Sequence, residues 1–354
     1  MNLIYFKTTV ASLTAFILYT TVSAADKKLT LEELFPTDRV LDVQITVAEK
    51  DWDKIRHQSR DFVSALHEKR KTEPIDGPYD YVNADVTIDG VKFEKVGLRK
   101  KGFIGSQSSS RPSLKIKLNH IDKERSIGGL TNLTMNNNKQ DSTIVSQVMG
   151  YALFNAAGSP APRTAFAKVT VNGKNHGVYT HVETVRKTVL KRGFGNDDGT
   201  LYEGTVVDFY NGWEGSFERK TGDDKAGRAH IRKLIELSEG DSVTEEAIGE
   251  LVDLDSFYRF WAMEGLLGFW DGYSGNANNF FAYLNPKTNK FHFMPWGADS
   301  LFKKRSLLNF DFRAPLSVKT QGRIAYLLYQ TEAGRDRYRK TLHGLLKEHW
   351  NEEE

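Results

Sequence analysis

The residues best equipped for chemistry lie between Asp271 and Asp299, in the stretch DGYSGNANNFFAYLNPKTNKFHFMPWGAD. An acid opens it, the amides of Asn276, Asn278 and Asn279 follow, and a second acid closes it. Phosphoryl transfer uses such a set. One carboxylate orients an attacking hydroxyl, while an amide and a second carboxylate hold a hard divalent cation on the phosphates. Each residue alone has a plain structural explanation, because Asn and Gly favour turns and an aspartate after a strand can cap a helix. The grouping of acids at both ends of a loop, a hairpin and a loop is what points to a site.

A second group precedes it. Gly102 to Ser110 is a glycine- and serine-rich loop between two expected strands. Small residues let backbone N–H groups approach a phosphate closely. In the strand that follows, period-two alternation puts Lys115 and Lys117 on one face and Leu114, Ile116 and Leu118 on the other. A lysine rooted beside such a loop reaches the α- and β-phosphates of a nucleotide. Arg99 and Lys101 follow the same logic one strand earlier. Arg99, Gly102, Ser106 and Lys115 are thus candidate nucleotide contacts. Glu183, at a strand end, could accept from a bound base or sugar, or pair with Lys115. The plain alternatives are a surface loop, strands with one wet face and an exposed strand end. No Gly-Lys-Ser/Thr follows the glycine loop, no Gly-x-Ser-x-Gly elbow occurs, and the absence of cysteine excludes a thiol nucleophile. His176, His181 and His292 lack close metal-ligand spacing and read as strand residues.

The elements that must position these groups are strands first and helices later. Alternation predicts strands at 39–47, 83–88, 91–98, 112–118, 130–135, 164–171 and 177–182, with hairpin turns at Asp89-Gly90 and Asn172-Gly173. Helical spacing predicts helices at 49–66, 141–157, 225–237, 244–252 and 255–267, and one or two more across 323–350. The exception in the second half is a strand pair, 280–283 and 291–294. This pattern predicts an α+β fold with a β-rich region at 25–185, a mainly helical region at 186–354 and an active site in the crevice between them.

The first 24 residues read as a secretory signal: Lys7, an apolar stretch from Val10 to Val22, and small residues at Val22-Ser23-Ala24. An uncleaved anchor is the alternative, and the stretch is short and rich in Thr and Ser for a span. No later segment is apolar enough to cross a bilayer. An exported chain is expected, in a periplasm, on a cell surface or outside the cell. Its 354 residues, 39% hydrophobic, suffice for a large core without disulfides. A net charge of +3 argues against a general nucleic-acid binder.

With these residues in view, the chain resembles the CotH kinase-like family, the spore-coat protein H family. Leu98-Arg99-Lys100-Lys101-Gly102 and Pro112 to Lys117 are similar to its arginine–glycine and Ser-x-Lys strands. So are Gly158 to Thr164, Val171-Asn172-Gly173, Gly177 to Glu183, Asn279 to Tyr283 and Pro295-Trp296-Gly297-Ala298-Asp299, in consistent order from about residue 40 to about 305. The resemblance implies an atypical, secreted protein kinase with a divergent two-lobed kinase-like fold. It implies ATP with Mg²⁺ or Mn²⁺, and a Ser or Thr on a secreted or surface protein as acceptor. Carried over by position, Lys115 contacts the ATP phosphates and Glu183 lies at the hinge-like end of its hairpin. Asp271 matches the catalytic aspartate, Asn276 or Asn279 assists the metal, and Asp299 matches the metal-binding aspartate. The chain departs from the pattern in three places. Gly297 replaces the first acid of a Trp-Asp-x-Asp motif, Lys101 stands where arginine is common, and helix 141–157 has no interior glutamate to pair with a lysine, only the amide of Gln147. Two other readings follow from the same residues: a catalytically weak pseudokinase serving as a surface structural or adhesion protein, and a metal-dependent phosphodiesterase.

Overall fold

The computed structural model describes residues 28–61, 63, 67–75, 77–240, 243–302 and 318–350. The expected signal segment, and parts of the expected helix 49–66, lie outside the described residues.

Seven strands close into a barrel. They are β1 (Leu41–Val47), β2 (Val82–Ile88), β3 (Val91–Lys101), β4 (Ser113–Lys117), β5 (Asn132–Asn136), β6 (Thr164–Val171) and β7 (Lys174–Glu183), in the order β1-β2-β3-β4-β5-β7-β6. All neighbours are antiparallel except β1 and β6, whose parallel pairing (Val43 opposite Val169) closes the wall. Alternation explains what lies inside. Val43, Val86, Leu98, Leu114, Ile116, Leu133 and Val169 pack into one buried core. The residues between them, including Arg99, Lys101 and Lys115, point from the outer wall.

The second sheet, in the order β11-β10-β8-β9, comprises β8 (Thr200–Gly204), β9 (Glu218–Thr221), β10 (Phe280–Asn285) and β11 (Lys290–Pro295). Packed with it are α4 (Asp224–Ser238), α5 (Glu245–Leu251), α6 (Leu254–Leu266), α8 (Arg323–Gln330) and α9 (Glu332–His349). Phe257, Phe260, Tyr273, Phe280 and Phe293 form its aromatic centre. The other described helices are α1 (Glu49–His57), α2 (Ser146–Ala156), α3 (Lys187–Phe194) and the single turn α7 (Tyr273–Asn276). Helix α2 starts later than expected, because Asp141 is taken up in a turn before it and accepts from Thr143 N at 3.0 Å and Ser146 N at 2.8 Å.

The two-lobed kinase-like fold expected from sequence is not what the chain adopts. The first half is a closed barrel, and the second half carries its own four-stranded sheet beneath the helices. The barrel closes through strands that are far apart in sequence and leave no local signal. The second sheet depends on β8 and β9, only five and four residues long, which alternation does not reveal.

Candidate functional site

A cleft of about 610 Å³ runs between the outer wall of the barrel and the second sheet. Strand β3 supplies Arg99 and Lys101, and the loop after it supplies Gly102 and Ser106. Across the gap stand Glu203 and Lys220, from β8 and β9. Asp271, Asn278, Asn279 and Asp299 also line the cleft. The two acids that bracket the sequence motif therefore share one cavity with the cationic strand.

Asp271 sits in the loop between α6 and α7. Its Oδ1 accepts from the side-chain amides of Asn276 (2.7 Å) and Asn278 (3.1 Å), and its Oδ2 accepts from that of Asn279 (2.8 Å). Burial pushes its carboxyl above the ordinary value, and the three amides oppose that shift. A carboxylate offers about four lone-pair positions, so one on Oδ2 is left for another donor.

Asp299 is buried. Its Oδ1 accepts from Gln140 Nε2 at 3.1 Å and its Oδ2 from Asn136 Nδ2 at 3.3 Å. Burial raises its carboxyl, opposed by Asn136 and by the Lys101 charge. Lys101 is itself lowered by burial, while Asp299 and Glu203 favour its charged form. Its ammonium lies 5.4 Å from the centre of the Trp296 ring. Asn136 ends β5, and Gln140 follows a few residues later with its side chain over Gly105. The Asn136–Gln140 segment therefore joins the glycine loop to Asp299.

Not every expected residue reaches the cavity. Lys115 pairs in register with Arg99 on the neighbouring strand and is not among the residues that line the cleft. Burial, and then the charges of Arg99 and Arg186, pull its ammonium down to about 7. Glu183 is also away from the lining. It is fully buried in two ion pairs, with Arg163 and Arg192 at 3.0 Å each. Burial raises its carboxyl, but the Arg163 hydrogen bond and the charges of Arg192 and Arg163 hold it below the usual range. Asn276 reaches the cavity only through its bond to Asp271.

Sequence reasoning assigned no role to Asn136, Gln140, Glu203 or Lys220. The run Asn136-Asn137-Asn138 at a strand end was the available signal for the first. Glu203 and Lys220 form an ion pair at 2.5 Å, and Lys220 also meets Glu218. Burial would raise the Glu203 carboxyl, but Lys220 and then Arg186 and Lys115 bring it below its ordinary value.

A charged cleft with one carboxylate gripped by amides and a second beside a lysine suits a polyanionic ligand and a hydroxyl acceptor. Residues 98–354 match the family model described as CotH kinase protein, and the chain belongs to that family. It is 26% identical over 215 residues to the inner spore coat protein H of Bacillus subtilis, covering 56% of this chain and 58% of that protein. It is 22% identical over 249 residues to invasin CotH2 of Rhizopus delemar, covering 64% of this chain and 41% of that one. The match thus spans less than two thirds of either relative. Among the described residues, no helix is long and apolar enough to cross a membrane.

Proposed function

We propose that this chain is an exported, metal-dependent phosphotransferase that moves the γ-phosphoryl group of ATP to a Ser or Thr hydroxyl on a surface or secreted protein. The observation that carries the reading is the shared cavity of Asp271, Asp299, Arg99 and Lys101. Asp271 would accept a hydrogen bond from the acceptor hydroxyl at its remaining lone-pair position and hold that oxygen toward the phosphate. Arg99 and Lys101 would bind the phosphate oxygens, with Gly102 and Ser106 close to them. Lys115 would add positive potential from behind Arg99. Export is supported by the signal-like first 24 residues and by the nature of the two relatives, a spore coat protein and an invasin.

Among the described residues, no three His, Cys, Asp or Glu side chains gather into a metal cage. Mg²⁺ and Mn²⁺ on a nucleotide need only one or two protein carboxylates, with phosphates and water completing the shell. The donor set fits that demand. Asp299 has two lightly engaged oxygens, and Asn279 Oδ1 accepts no hydrogen bond among the described residues. These two would hold the cation, which when bound neutralises charge on the phosphates.

The structural or adhesion reading rests on Gly297 and on α2, which contains no acid. Thermal unfolding with ATP and Mn²⁺ tests whether the cleft takes a nucleotide, and labelled-phosphate transfer then separates a phosphotransferase from a nucleotide-binding pseudokinase. A ligand at about 100 times its Kd stabilises the folded state by about 2.7 kcal/mol. The phosphotransferase reading expects that rise, weakened in Lys101→Ala. An unchanged melting temperature at millimolar ATP and Mn²⁺ would favour the structural reading.

A further inference from the structure

Beneath the Asp271 loop lie two buried carboxylates that the proposed chemistry does not use. Glu264, on α6, accepts from Tyr273 N at 2.9 Å, from Ser274 N at 2.8 Å and from the Ser274 hydroxyl. Contact is close enough that a β-carbon on Gly272 would fall 2.2 Å from Glu264 Oε1. The other carboxylate is Asp208. Its Oδ1 accepts from the Tyr273 hydroxyl at 3.0 Å, and its Oδ2 from Arg323 N at 2.6 Å. Arg323 begins α8, and the next amide, Ile324 N, donates to the Tyr273 hydroxyl at 3.0 Å. Gln321 N donates to Ser274 O at 2.8 Å. Tyr273 and Ser274 are fully buried. They immediately follow the loop residues Asp271 and Gly272, and the Ala277 N–H returns to Tyr273 O at 2.9 Å.

From this geometry we infer that Glu264 and Asp208 are positioning residues: Glu264 holds the backbone of Tyr273 and Ser274, Asp208 holds the Tyr273 hydroxyl, and together they form a clamp that fixes Asp271 for the acceptor hydroxyl. The clamp ties the start of α8 to the cleft through Tyr273. An uncompensated carboxylate in an apolar core is costly. Here each carboxylate is matched by backbone and hydroxyl donors: Glu264 by Tyr273 and Ser274, and Asp208 by the Tyr273 hydroxyl, by Arg323 N at the start of α8 and by its own chain neighbour Phe209 N at 2.8 Å. A side chain displaced by about 1 Å from its productive position loses about 100-fold in rate.

The inference rests on the phosphotransferase reading for its effect on rate, but not for its effect on the loop. The test therefore has two arms on the full chain, with Glu264→Gln and, as a milder change, Ser274→Ala. In the first, amide hydrogen exchange is followed across residues 271–279 and 321–324. Glu264→Gln is expected to speed exchange there by about tenfold, and Ser274→Ala by less, with barrel peptides unchanged. In the second arm, labelled-phosphate transfer with Mn²⁺ is expected to lose about 100-fold in kcat in Glu264→Gln, with ATP affinity within about twofold of wild type. Unchanged exchange in the loop, or a parallel loss of kcat and ATP affinity, would overturn the clamp. If wild type transfers no phosphate, the phosphotransferase reading fails while the exchange arm still decides whether the clamp exists. If Glu264→Gln does not fold, Ser274→Ala and Tyr273→Phe carry both arms, with Tyr273→Phe expected to loosen 321–324 first.

Discussion

Gly297 lies against the side-chain amide of Asn279: a β-carbon at 297 would fall 2.5 Å from Asn279 Oδ1. Asn279 in turn donates to the carboxylate of Asp271 at 2.8 Å and to its backbone carbonyl at 2.9 Å. The residue that breaks the Trp-Asp-x-Asp pattern is therefore coupled to the proposed catalytic aspartate through one amide. Gly297 also has φ of +56°, a conformation that glycine tolerates best. Gly297→Asp, which restores the acid of the family pattern, is expected to cost about 1–2 kcal/mol of stability. It should also lower phosphate transfer by displacing Asn279. Melting temperature and transfer rate measured together check this, and a faster variant would contradict it.

Glu183 supports the structure around it through its two arginines. Removing its charge leaves Arg163 and Arg192 without their buried partner. Both arginines keep part of their guanidinium in water, so loss of these charge-assisted bonds costs about 1–3 kcal/mol. Glu183→Gln is expected to lose stability on that scale in denaturant unfolding while its ATP affinity stays close to wild type. A large loss of ATP affinity in a variant of normal stability would return Glu183 to the nucleotide site.

Lys115 gives a proton-linked prediction. With its ammonium drawn down to about 7, it is largely neutral at pH 8. A nearby triphosphate favours the charged form and raises that value. ATP binding at pH 8 should therefore take up a fraction of a proton, and Lys115→Met should reduce the uptake, with Lys101, also lowered by burial, supplying any that remains. Calorimetry in buffers of different ionisation enthalpy measures it. Binding without proton uptake would place the phosphates out of range of Lys115.

What the sequence revealed and what it concealed differ in range. Asp89-Gly90 and Asn172-Gly173 were legible as hairpin turns because their chemistry is local, and all four residues have positive φ. Asp271 and Asp299 were visible as candidates because the acids and amides cluster within one short stretch, and both line the cleft. The partners of Asp299 were not, since Asn136 and Gln140 lie 163 and 159 residues away in the chain. Alternation placed Arg99, Lys101 and Lys115 on one face of the wall. It cannot say which of them the second sheet covers: Lys101 lines the cleft with Asp299, and Lys115 does not.

Glu264 sets a stability prediction with a definite sign. Burial pushes its carboxyl from an ordinary 4.5 up to about 7. Between those values the folded protein keeps a proton that the unfolded chain has released. This group's contribution to stability is therefore full below about 4.5 and is lost as pH rises through about 7. Asp208, pushed up to about 6, acts with the same sign from 3.8 upward. Melting temperature against pH should fall less steeply in Glu264→Gln than in wild type between about pH 5 and 7. Parallel curves would mean that Glu264 does not titrate there.

The most direct test of the central claim is transfer of labelled γ-phosphate by purified protein with Mn²⁺, comparing wild type with Asp271→Asn and Asp299→Asn. Wild type is expected to label itself or casein. Each single variant should lose about 100-fold or more while remaining folded. Asp299→Asn should also weaken Mn²⁺ binding. No labelling by wild type, or equal labelling by Asp271→Asn, would contradict it.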